Sequence, residues 1–161
     1  MYARLASLDA RRAALLVAAI AAATLAGAWA FEKAGHLPCE LCLLQRKPYY
    51  AAILVGLAAG FSPPRAARWG LALLALIFVA SAGFGLYHAG VEWGAWPGPT
   101  ACTGSAPAGG SAQDLLKQLE TVQIVRCDQV ALRILGLSLA GWNAIVSSGL
   151  AAFAAAGARR G

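Results

Sequence analysis

Long apolar runs free of charge alternate along this chain with short charged flanks. Ala13–Phe31, Trp69–Tyr87 and Ile134–Ala156 each pass without a single charged residue. A hydrocarbon core about 30 Å thick needs about 20 apolar residues of helix, so each run predicts a transmembrane span. Tyr49–Phe61 is charge-free over only 13 residues, about 20 Å of helix. Extension back to Leu41 gives 21 residues, about 31 Å, and takes in Gln45, Arg46, Lys47 and Pro48. A second span is therefore expected over 41–61, with a charged outer end and a proline kink. The pattern predicts an all-α membrane protein, a four-transmembrane-helix bundle forming one domain over 1–161. Its spans fall at about 13–31, 41–61, 69–87 and 134–156.

Two loops, about 32–40 and 88–133, lie on the face opposite the termini. Within the longer loop, Thr103–Gly110 ("TGSAPAGG") has the composition of a flexible tether. Ser111–Val125 then reads as a short amphipathic interfacial helix. Ser111 and Asp114 have capping-box spacing, and Leu115, Leu116, Leu119 and Val122 recur on one face. Such a helix suits either the membrane plane or a lid over the bundle. Trp93 and Trp96 are placed for an aromatic belt or for a role under the loop. Inside the spans, Gly83, Gly85, Gly136, Gly141, Ser138, Ser147 and Ser148 are small enough for close helix approach, and Asn143 reads as a polar link between helices.

Composition agrees with the pattern. The chain is 60% hydrophobic and 12% charged, against roughly 25% charged for a soluble domain. Its net charge of +6 is scattered among apolar segments with no basic stripe, which argues against nucleic acid. Arg4, Arg11, Arg12, Arg65, Arg68, Arg159 and Arg160 crowd short flanks on the side of the termini, whereas the other side spreads Lys33, Arg46, Lys47, Lys117, Arg126 and Arg133 over long loops. The denser side is cytoplasmic under the positive-inside rule. The start of the chain mimics a cleavable signal, but its apolar run exceeds the usual length, so a retained helix is expected.

The cysteines sharpen the orientation. Cys39, Cys42, Cys102 and Cys127 all fall on the outer side, the compartment where disulfides persist. Cys42 sits in the first turn of the second helix, where unpaired N–H groups and the helix dipole favour an anion. Arg46 follows at i+4 on the same face, and the C-x-x-C spacing lowers a thiol pKa further. An arginine at membrane depth is costly and usually marks function; here it can steady a thiolate or a developing oxyanion, or snorkel to the interface. Zinc is disfavoured, because Cys102 and Cys127 lack the compact spacing of a structural site. A Cys39–Cys42 bond closes too small a loop to stabilise much, which points to redox work. Thiol–disulfide exchange between two pairs can relay electrons, and a lipid-soluble quinone is an acceptor that needs no haem or flavin motif. A non-catalytic tetraspan scaffold with structural disulfides is the rival reading.

The stretches "CELCLLQR", "YHAGVEWGAW" and "RCDQVALRILGLSLAGWNA", with Cys102 and Cys127 in the long loop, resemble the DsbB family of disulfide bond formation proteins over about Ala13–Ala156. That resemblance implies a bacterial inner-membrane oxidoreductase that reoxidises a DsbA-like periplasmic thioredoxin-fold protein. The implied acceptor is ubiquinone or menaquinone from the membrane pool, bound non-covalently. By the same resemblance Cys102 would form the mixed disulfide with the partner and Cys127 would resolve toward Cys39. Cys42 would face the quinone, with Arg46 and His88 at the quinone site. A DsbI-like sister serving a dedicated partner shares the cysteine plan. The vitamin K epoxide reductase family places its C-x-x-C after the loop cysteines, the reverse of the order here.

Overall fold

Local signals start and stop each helix. The structure, a computed structural model, describes residues 9–99 and 126–160. Helix α1, Ala10–Lys33, begins where the Asp9 side chain accepts the Arg12 N–H at 2.8 Å, an N-cap that satisfies one of the orphan donors of the first turn. Helix α2, Glu40–Gly60, opens on Cys39 and runs through Pro48 as one element. Helix α3, Pro64–Glu92, starts with proline in its first turn, where the missing N–H costs nothing. Helix α4 covers Leu139–Arg160. Among these, α1, α3 and α4 are long and apolar enough to cross a membrane. Helix α2 has comparable length, 21 residues, but carries Glu40, Arg46 and Lys47 in its N-terminal half.

The helices meet along an alanine-rich seam. Ala14, Ala21, Ala52, Ala67 and Ala154 are buried around Leu71, Leu74 and Phe78. Small residues replace bulk here because lipid offers no hydrophobic drive for helix association, so close van der Waals contact must hold the helices together. A Cβ at Gly85 would stand 2.9 Å from the Ala144 backbone nitrogen, and one at Gly56 would meet the Ala18 side chain. Gly83, expected at an interface, meets nothing within 4 Å and faces outward. Leu54, Phe61, Trp69, Leu76 and Val79 are exposed, an apolar exterior suited to lipid rather than water.

The last helix starts later than its hydropathy suggests. Residues expected to open a span at Ile134 form instead an antiparallel pair, β1 (Arg133–Ile134) with β2 (Leu137–Ser138). Leu135 (φ 52) and Gly136 (φ 82) are both left-handed, the mark of a two-residue type I′ turn whose twist matches the strands. Trp142 Nε1 donates to the Ile134 carbonyl at 2.9 Å, and Ser138 Oγ accepts the Gly141 N–H at 3.2 Å, capping α4. Apolar character alone could not reveal this turn. Leu135 is 91% exposed, so it contributes left-handed strain with little contact in return. Leu135→Asn is expected to stabilise the protein by about 1 kcal/mol, read as a raised melting temperature in detergent; a lowered one would show that the side chain has a partner.

Trp96 packs back over α3, stacking on Tyr87 at 6.0 Å between centroids and donating from Nε1 to the Tyr87 carbonyl at 2.9 Å. Trp93 stays 68% exposed at the end of α3. The tether over 103–110, the amphipathic helix expected over 111–125 and Cys102 lie outside the described residues.

Candidate functional site

The first turn of α2 builds the centre of the site. Cys39 is the N-cap, and its Sγ accepts the Cys42 N–H at 3.3 Å. Both thiols are free, with their sulfurs 2.8 Å apart. Helix geometry sets Gln45, Arg46 and Tyr49 on the face that Cys42 begins, one and two turns further in. The last turns of α3 bring buried His88 alongside, with Nε2 3.7 Å from Cys39 Sγ.

Electrostatics at the pair differ from the expectation that singled out Cys42. Helix N–H and imidazole are both aimed at Cys39. The Cys42 thiol, donating to Cys39, is the chief reason the Cys39 thiol is held down at about 5; the bond from His88 adds to this, and burial opposes it. Two sulfurs this close share one proton and titrate as a unit, so the pair holds a negative charge that this geometry centres on Cys39. Arg46 does not reach the thiols. Its guanidinium is 13% exposed and ion-pairs with Glu32 of α1 at 2.7 Å.

The two sulfurs face different surroundings. Cys39 belongs to a buried cluster with Leu41, Val91 and Cys127. Cys127 is disulfide-bonded. Cys42 lines a cavity of about 230 Å³ between α1, α2 and α4. Leu25, Phe31 and Val146 contribute apolar wall, while Arg46, His88 and Gln45 present polar atoms. Apolar walls with a few convergent polar groups are the usual make-up of a small-molecule site. They suit a small, apolar molecule whose oxygens can accept from a guanidinium.

Behind the cavity lies a polar cluster that spacing alone did not flag. Asn143 Nδ2 donates to Gln45 Oε1 at 2.6 Å and Tyr49 OH donates to Asn143 Oδ1 at 2.7 Å. Ser147 Oγ lies 3.1 Å from Tyr49 OH and 3.0 Å from Ser81 Oγ. The reading of Asn143 as a link between helices thus has its partners, Gln45 and Tyr49. Both share the Cys42 face of α2, the one signal that could have found them. Glu32, by contrast, carried none.

Cys39, Cys42 and His88 also offer metal-ligating atoms within 4.8 Å of one another. Two thiolates on one zinc would stand about 3.8 Å apart; the 2.8 Å found here suits sulfur–sulfur exchange better than a shared ion.

Comparison with known proteins agrees with this chemistry. The family model described as disulfide bond formation protein DsbB matches residues 10–157. Disulfide bond formation protein B of Marinobacter nauticus is 32% identical over 142 residues, 83% of this chain and 82% of that protein. An uncharacterised protein of Rickettsia prowazekii, RP370, is 28% identical over 114 residues, 70% of this chain and 66% of its own length. No solved structure matches. With three apolar helices long enough to span a bilayer and a family match over nearly its whole length, this chain belongs to the DsbB family and is an integral membrane protein of disulfide bond formation.

Proposed function

We propose that this protein is a thiol:quinone oxidoreductase of the bacterial inner membrane that reoxidises a periplasmic DsbA-type dithiol protein. The observation that carries this reading is the position of the thiol pair. Cys39 packs with Cys127 on one side, and Cys42 opens onto an apolar cavity on the other. Electrons entering through Cys127 reach Cys39 by disulfide exchange, the Cys39–Cys42 dithiol is formed, and its two electrons leave at Cys42. Cys102 takes the role of first contact with the partner, on the strength of the family resemblance. A bound quinone supplies an acceptor of two electrons and two protons.

The chain's own groups then have defined tasks. Arg46 offers N–H donors to a carbonyl oxygen in the cavity, and His88 lines the same quinone site. Glu32 holds the guanidinium in place by its ion pair. The apolar wall keeps water from the sulfurs. Helix α2 completes a four-span bundle, its charged outer half at the periplasmic interface, with both termini cytoplasmic.

Stoichiometry tests the proposal. The fully reduced protein, mixed anaerobically with a short-chain quinone, is expected to lose two thiols per quinone consumed. The new bond should map to Cys39–Cys42 by peptide mass spectrometry. Retention of both thiols over hours would sink the reading. In steady state Arg46→Ala is expected to raise KM for the quinone about tenfold, the scale of one lost charge-assisted hydrogen bond. An unchanged KM would remove Arg46 from the site.

A further inference from the structure

Behind the thiol pair, the donors from Tyr49 through Asn143 and Gln45 to His88 run one way. Asn143 Oδ1 accepts from two hydroxyls, Tyr49 OH at 2.7 Å and Ser147 Oγ at 3.2 Å. With its oxygen so engaged, Asn143 turns Nδ2 to Gln45 Oε1 at 2.6 Å. That in turn directs the Gln45 amide nitrogen to His88 Nδ1 at 2.5 Å. A ring nitrogen that accepts a hydrogen bond carries no proton, so the imidazole proton belongs on Nε2. Nε2 is the atom that faces Cys39 Sγ, at 3.7 Å.

We propose that Tyr49, Asn143 and Gln45 are positioning residues that hold His88 in its Nε2–H tautomer, with that proton aimed at the Cys39 sulfur. None of the three touches Cys39. They act through His88, and together they decide whether the imidazole offers the sulfur a donor or a lone pair. With a donor present, charge on Cys39 is stabilised; with a lone pair, it is repelled. A buried network of this kind has value only when every member is satisfied, and here Ser147 and Ser81 complete it on the far side of Tyr49. Among the described residues, Glu92 of α3 faces the pair and His88, and Arg133 of β1 lies near Glu92.

The inference rests on Cys39–Cys42 being the working pair, yet its test needs neither quinone nor partner. The chain has two histidines, His36 and His88, so ¹⁵N-histidine labelling of the reduced protein in micelles gives a readable spectrum, and a His36→Gln variant assigns it. Wild-type His88 is expected as a single Nε2–H tautomer. Tyr49→Phe and Asn143→Leu should each turn it into a mixture. Alkylation of Cys39 at pH 4, below the point where its thiol is mostly ionised, followed by mass spectrometry, should slow about tenfold in both, the effect of a thiol pKa raised by about one unit. An Nδ1–H tautomer in the wild type would overturn the proposal whatever the variants do. So would a tautomer and an alkylation rate that neither variant changes. Absent turnover with Nε2–H intact would count against the oxidase reading alone.

Discussion

Cys42→Ser is expected to abolish quinone reduction while leaving the protein folded. The sulfur is the only one of the described cysteines on the cavity wall, so its loss removes the exit for electrons. Groups that act as a unit show large, non-additive losses on single removal, and the fall in turnover should be on the order of a thousandfold or more. Cys39→Ser should be equally inactive for a different reason. Cys42 would still face the cavity, but the contact with the Cys127 cluster would be gone. Peptide mapping separates the two. The Cys42 variant can still form a Cys39–Cys127 bridge, whereas the Cys39 variant cannot. Half or more of wild-type turnover in the Cys42 variant would contradict the assigned direction of flow. A scaffold with structural disulfides would lose stability and nothing else, so this pair of variants also separates the enzyme from its non-catalytic rival.

The second large effect is expected at Gly85. A Cβ there would lie 2.9 Å from the Ala144 nitrogen and 3.1 Å from Asn143 Nδ2, so Gly85→Leu must push α3 and α4 apart. Overpacking against backbone cannot be relieved by a rotamer change, and the cost is expected to reach at least about 3 kcal/mol. The displacement also carries Asn143 away from Gln45, so activity should fall further than stability alone explains. Thermal unfolding in detergent and turnover of the surviving folded fraction measure the two effects separately. A variant with wild-type melting and turnover would show that the helices are not in the contact described. Gly83→Leu, where nothing lies within 4 Å, is the matched control and should be tolerated.

What was legible in the sequence follows from what hydropathy encodes. Three helices came from charge-free length alone, since a bilayer demands that length whatever the neighbours do. The start of α2 near the C-x-x-C followed from the length a span needs, and Cys39 caps it. Hydropathy could not separate β1, the turn and β2 from the head of α4. Leu135, Leu137 and Leu139 are as apolar as any span, and only the left-handed pair Leu135–Gly136 breaks the helix. The expectation that Arg46 serves Cys42 followed from i+4 spacing along one helix. It missed Glu32, which reaches Arg46 from α1 at 2.7 Å, because contacts between helices leave no periodic trace. Gln45, Tyr49 and Asn143 were individually visible as polar groups in apolar helices. Their connection to His88 exists only once α2, α3 and α4 are side by side.

The thiol pair's position also organises what each neighbouring group contributes. A helix N–H and an imidazole favour charge on Cys39, while Cys42 borders the cavity. The sulfur that is easiest to charge is therefore the one beside Cys127, and the one beside the cavity shares its wall with Leu25, Phe31 and Val146. That division is what the proposed relay requires.

The most direct measurement is multiple turnover with both substrates present. The purified protein in detergent receives a water-soluble quinone and an excess of a reduced DsbA-type protein, and quinone absorbance is followed. The account predicts catalytic loss of that absorbance, with one partner disulfide formed per quinone consumed and no loss with Cys42→Ser. A well-folded protein that consumes no quinone with any of several DsbA-type partners would contradict it.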